Sequence, residues 1–230
     1  MSVDLRAKAA GARPRSVAAL LVALPVLSNA ASFILFAPLF APGRSPSAAD
    51  FQRATTTAAV AILAIEMLGL LWVAANVRAE GGSLRAVVNL RRDRWRAYGV
   101  AALVASPLTL LAGWLYLTAQ AAAGIDASPA RMSGPEAALW YAAIPVAAAL
   151  VEETIWRGYA IPRIQGAWRS VVLAGLSFAA FHGIANPLAL AATFLQALAW
   201  GWAFRRTGST APGMALHFLS RYLALLPGLP

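Results

Sequence analysis

Seven apolar runs dominate the chain, at about 16–40, 54–77, 97–120, 136–162, 170–186, 187–204 and 209–226. One membrane-crossing helix needs roughly 20 apolar residues. Inside the bilayer every backbone polar group must pair within the protein, so such runs become helices or close into a barrel. No stretch alternates with a period of two, which removes strands as principal elements. The predicted fold class is all-α: a multi-pass transmembrane helical bundle of about seven spans (six to eight). Composition agrees, with 60% of the 230 residues hydrophobic and 12% charged, where a soluble domain is about half apolar and a quarter charged. A soluble globular enzyme and a disordered chain are both excluded. The expected location is a cell membrane, a prokaryotic plasma membrane, with N-terminal spans and a basic loop over 1–134 and a second group of spans over 135–230.

The formal charge is +10, from 19 basic and 9 acidic residues. In a soluble protein that excess would suggest nucleic acid. Here the basic residues sit in short loops between apolar runs, so no nucleic-acid partner is expected and the charge reads as membrane orientation. Alternate segments hold fourteen basic residues against three in the others, which predicts a cytoplasmic N-terminus. The stretch Arg91-Arg92-Asp93-Arg94-Trp95-Arg96 suits the headgroup layer of the lipid bilayer. A cleaved signal peptide is the rival for the first span, because a basic start and the run 17–27 precede Ser28-Asn29-Ala30. Apolar character continues through 33–40, which favours a retained helix. The chain has no cysteine, so disulfides, a thiol nucleophile and thiolate metal sites are excluded.

Ionisable groups in a bilayer core are costly and mark function. This chain has Glu66 in its second run, Glu152, Glu153 and Arg157 in the fourth, and Arg221 in the last, and both of its histidines, His182 and His217, also lie inside runs. Glu152, His182 and His217 stand 11, 13 and 11 residues from Arg163, Arg169 and Arg206 respectively, or roughly 16–20 Å at helical rise. Three helices can thus bring one carboxylate and two imidazoles to a common depth. Glu153 and Arg157 have the spacing and order of a helical ion pair. Glu152 is turned about 100° from its neighbour and is left for chemistry. Small residues at 147–149, 174–175, 179–180 and 183 let these helices approach closely. A carboxylate can take a proton from water while an imidazole orients it, and a second imidazole can donate to the resulting oxyanion.

Glu152-Glu153-Thr154-Ile155-Trp156-Arg157 fits an EExxxR motif, Phe178-Ala179-Ala180-Phe181-His182 fits FxxxH, and His217 stands where HxxxN begins. In this order and spacing, over about 136–222, the chain resembles the CPBP family of intramembrane glutamic endopeptidases, which includes CAAX prenyl proteases and bacteriocin-processing proteins. The resemblance implies that Glu152 is the general base, that His182 helps activate the water, and that His217 stabilises the oxyanion. Glu153 and Arg157 would hold the site together and Phe178 would pack around it. It implies a peptide or protein substrate at the membrane, CAAX-like or a leader peptide, cut near the cytoplasmic side of the bilayer, with no cofactor. Arg221 replaces the family's Asn, and puts a fixed charge where an amide is expected; Asn186 is a candidate stand-in donor. Glu66 is expected to pair with Arg221 or Arg157.

Three alternatives stay open at this stage: a catalytically inactive membrane scaffold or immunity protein, a small proton-coupled transporter, and a divalent metal held by the Glu/His cluster. The HExxH of a zinc protease is absent, the GxSxG of a serine hydrolase is broken at Ala179, and every Asp lies outside the apolar runs.

Overall fold

The computed structural model describes residues 14–122 and 138–223, and these are helical, without a strand among them. The order is α1 (Pro14–Phe36), α2 (Ala48–Ala79), a short α3 (Leu84–Val88) and α4 (Trp95–Ala122). A second group follows: α5 (Ile144–Glu152), a π-helix (Glu153–Ala160), α6 (Ile161–Arg163), α7 (Ala167–Phe181), α8 (Pro187–Thr207) and α9 (Ala211–Leu223). Among the described residues four stretches are long and apolar enough to cross a membrane, Arg15–Phe40, Ala49–Ala79, Leu84–Ala119 and Pro187–Thr207. A multi-pass helical membrane protein is the result, and the run at 136–162 also forms unbroken α- and π-helix from residue 138 to Arg163. The run expected to continue to 186 stops at Phe181, where Gly183 adopts φ +124° and Pro187 opens the next helix. Its 15 residues extend only about 22 Å.

The core mixes both halves of the chain. Leu20, Leu24, Val73 and Ala105 share one buried cluster with Ile155, Trp156, Phe178, Trp200 and Leu216. α1 packs on α2 and α7, α4 on α8 and α9, and α5 lies between α2 and α9.

Two prolines inside α1 and α4 shape the packing. A helical proline cannot donate to the carbonyl four residues earlier. Pro25 leaves the Leu21 carbonyl without that donor, and Ser177 Oγ of α7 donates to it at 2.8 Å. Trp156 Nε1 in turn donates to Ser177 Oγ at 3.1 Å, so one chain of bonds joins the π-helix, α7 and α1. Pro107 frees the Leu103 carbonyl, which takes Ser106 Oγ at 2.8 Å.

The arginine-rich end is laced together by the loops. Ser47 and Asp50 form a capping box that starts α2 at the other end, and Glu80, just past its last turn, pairs with Arg163 of α6. Beneath the π-helix, α3 ends at Asn89 in the left-handed conformation, and its side chain donates to the Gly208 carbonyl at 2.7 Å. The Val88 carbonyl accepts from Thr210 N at 3.2 Å and Thr210 Oγ1 at 3.1 Å. α9 therefore begins inside the protein, at fully buried Ser209 and Thr210, hung from α3 rather than starting at the surface.

Candidate active site

Glu152 is the last α-helical residue before the chain widens into the π-helix. Such π segments inside α-helices are frequent at functional sites. Every residue from 151 to 161 is buried. The widening separates the two adjacent glutamates. Glu153 Oε1 meets Arg157 Nη1 at 2.9 Å, with both side chains fully buried. The guanidinium lies 4.2 Å from the Phe178 ring centroid and 5.1 Å from that of Trp200. This cation is held by a carboxylate on its own helix and by two aromatic faces from α7 and α8, an arrangement suited to a desolvated arginine.

Glu152 turns elsewhere. Its Oε2 lies 3.7 Å from His182 Nε2 and 3.7 Å from His217 Nε2. Three helices thus converge on one carboxylate oxygen. The separations exceed a direct hydrogen bond, and a polar contact beyond 3.5 Å is a natural place for a bridging water.

His182 owes its place to the end of α7. Its Nδ1 is 3.0 Å from the Phe178 carbonyl. A carbonyl can only accept, so Nδ1 carries a proton and donates to it, which leaves Nε2 facing Glu152. The carbonyls at this helix end are taken up by α1: Ser28 Oγ donates to Phe181 O at 2.7 Å and Asn29 Nδ2 to Ala180 O at 2.7 Å. Ser28 and Asn29 of α1 thus cap the helix that carries this histidine. In the sequence the two residues stand out only as part of a cleavage-site pattern, which says nothing of a contact with α7.

His217 is six residues into α9 and stacks on Trp200, centroids 4.8 Å apart and planes at 30°. Trp200 Nε1 is held by Thr109 Oγ1 of α4 at 3.1 Å. Phe178 meets both imidazoles, at 4.5 Å for His182 and 6.4 Å for His217. One turn before His217 stands Gly213, and a Cβ there would overlap the Glu153 carboxylate outright. Close passage of α9 over the Glu153–Arg157 pair depends on that missing side chain. A glycine four residues before an intramembrane histidine was the available signal.

The other expected residues fall as follows. Asn186, the candidate stand-in donor, is engaged as the cap of α8, accepting from Leu188 N and Ala189 N at 3.1 Å each and donating to Ala119 O at 3.2 Å. Its fixed φ makes Pro187 a good first helical residue, and the residue before it the natural cap. Glu66 is buried on α2, whose Gly69 faces Leu24 and Ile155. Arg157 is paired with Glu153 rather than Glu66. Arg221 lies in α9, but its side chain is outside the described residues. Among the described residues no group of three or more His, Cys, Asp or Glu is arranged to hold a metal ion. A cavity of about 260 Å³, lined by Ala167, Trp168, Trp202, Arg205 and Arg206, lies at the opposite end of α7 from His182 and shares no residue with the Glu152 cluster.

Residues 134–223, which carry all of these motifs, match the family model of type II CAAX prenyl endopeptidase Rce1-like proteins. Over this segment, less than half of the chain, the protein is similar to that family. The CPBP-type resemblance read from the three motifs therefore holds, and the Rce1-like segment covers α5 to α9 with the whole Glu/His cluster. No curated protein and no solved structure matches the chain. The supports that α1 and α4 lend to the cluster lie outside the Rce1-like segment.

Proposed function

We propose that this protein is an intramembrane endopeptidase that hydrolyses a peptide bond with a water activated by Glu152 and His182. The observation that carries the reading is the common 3.7 Å approach of two imidazole Nε2 atoms to one buried carboxylate oxygen. In the proposed resting state the carboxylate is ionised and the His182 ring neutral, two acceptors that a donor between them would satisfy. Water is the donor with two protons to give, one to each. The Rce1-like family, a protease family, supports this reading at its own level.

In the proposed reaction the water passes a proton to Glu152 while its oxygen attacks the carbonyl carbon. His217 donates to the oxygen on which charge develops. Collapse of the tetrahedral species breaks the C–N bond, and the proton on Glu152 goes to the leaving nitrogen. Glu153 and Arg157 touch no reacting atom; they brace the floor. Neither a thiol nor a metal enters this sequence. The family suggests CAAX-like or leader-peptide substrates at the membrane.

The test is cleavage of a peptide substrate by purified protein. Glu152→Ala and His182→Ala should each abolish it. Full activity in both variants would refute the assignment, and proton flux in proteoliposomes that depends on Glu152, without cleavage, would favour a transporter.

A further inference from the structure

We infer that the Glu152 site opens at the end of the bundle away from the arginine-rich loops, so that its substrate is a peptide segment presented at the extracytoplasmic face. The substrate half of this inference rests on the proteolytic reading; the opening and its side do not.

Toward the arginine-rich end the cluster is closed. Directly beneath Glu152 lies the Glu153–Arg157 pair, roofed by Phe178 and Trp200. Below that, α3 seals the π-helix: a Cβ on Gly158 would come within 2.7 Å of Val87 Cγ1 and 2.9 Å of the Val87 carbonyl. The bonds from Val88 and Asn89 to 208–210 lock this plug, and Arg94 Nη1 adds one to Thr207 O at 3.2 Å. Water or substrate from this end would have to pass through buried helix.

Toward the other end the cluster is reached through His182. Its side chain is 20% exposed, against 1% for Glu152 and 2% for His217. Among the described residues nothing lies within 4 Å of a Cβ placed on Gly183, and Ile184 is 60% exposed. From 183 to 190 the chain carries no charged residue, so a segment entering here meets an apolar rim.

Charge gives the two ends their sides. Among the described residues the loops at the sealed end hold ten arginines between 78 and 206, whereas Arg44 and Arg53 stand at the open end. The positive-inside rule puts the richer end in the cytoplasm. The mouth then faces away from the cytoplasm. It fits a leader or juxtamembrane stretch of an exported or membrane-anchored protein, in place of the cytoplasmic-side cleavage expected from the sequence.

The chain has no native cysteine, so single-cysteine variants of the full protein report each end without background. Ile184→Cys, and Leu188→Cys as a second mouth position, should react with a membrane-impermeant maleimide on intact cells. Trp168→Cys, 64% exposed at the sealed end, should react only after permeabilisation. The reverse pattern, or labelling of both ends from one side, overturns the inference. In the cleavage assay a bulky maleimide on Ile184→Cys should stop turnover and the same group on Trp168→Cys should leave it; the opposite result also overturns it. If the unlabelled protein cleaves nothing, the proteolytic reading fails, while the labelling still decides which face the mouth occupies.

Discussion

His182 donates its Nδ1 proton to the Phe178 carbonyl at 3.0 Å, and this bond within a single turn of α7 dictates which ring nitrogen faces Glu152. An asparagine at 182 can place its amide near the Nδ1 position but has nothing at Nε2. His182→Asn is therefore expected to keep the helix end and lose the chemistry. Turnover should fall by about 10²–10⁴, the usual contribution of a positioned acid–base group, with a nearly unchanged thermal midpoint in detergent. Retained turnover would remove Nε2 from the mechanism.

The Glu153–Arg157 pair is fully buried, so its two members should behave unequally alone and together. Removing one partner of a buried pair strands a charge and typically costs about 3–5 kcal/mol. Arg157→Met should lose stability on that scale in denaturant unfolding, and Glu153→Gln added to it should recover part of the loss. Additive losses would mean that the two charges do not act as a pair.

Gly213→Ala is expected to push α9 off the Glu153 carboxylate and carry His217 with it. A displacement near 1 Å in a catalytic group can cost about 10²-fold in rate. Gly99→Ala is the control, since nothing lies within 4 Å of its added methyl; its turnover should equal that of the parent protein.

Ser28 and Asn29 reach across from α1 to the last carbonyls of α7. Ser28→Ala with Asn29→Ala removes hydrogen bonds worth about 0.5–1.5 kcal/mol each. The double variant should lower kcat through a looser His182 while KM stays near its original value. An effect on KM alone would shift these residues from positioning the histidine to binding substrate.

Cleavage should persist in EDTA and in 1,10-phenanthroline, because the proposed reaction uses a carboxylate and imidazoles only. Loss of activity on chelation, restored by added zinc, would move the chemistry to a metal held by the same cluster.

Much of this was legible in the sequence, for identifiable reasons. Apolar runs enforce helices in lipid because unpaired backbone groups cannot be hydrated there. Glu152, Glu153, Arg157, His182 and His217 were conspicuous because ionisable side chains are rare in such runs. The spacing of Glu153 and Arg157 foretold their ion pair, a contact within one helix.

Contacts between helices were another matter. Nothing local tells that Ser28 and Asn29 end α7, that Trp200 stacks on His217, or that Gly213 makes room for Glu153. Span lengths also misled: hydropathy ran on to 186, but the backbone turned at Gly183. Equal counts from the arginines suggested equal depth. In the structure His182 follows all 15 residues of α7, whereas His217 comes six residues into α9. They meet because α3 lifts the start of α9 into the protein.

The sequence alone determined that this chain is a helical membrane protein and which few charged and imidazole groups it must shelter, because the cost of burying them is a property of the residues themselves. The tertiary structure decided that two histidines share one oxygen of Glu152, and that one end of the site is closed. Those are relations among separate helices, set by where small residues let backbones approach and by which carbonyls a proline or a helix end leaves for a neighbour to satisfy.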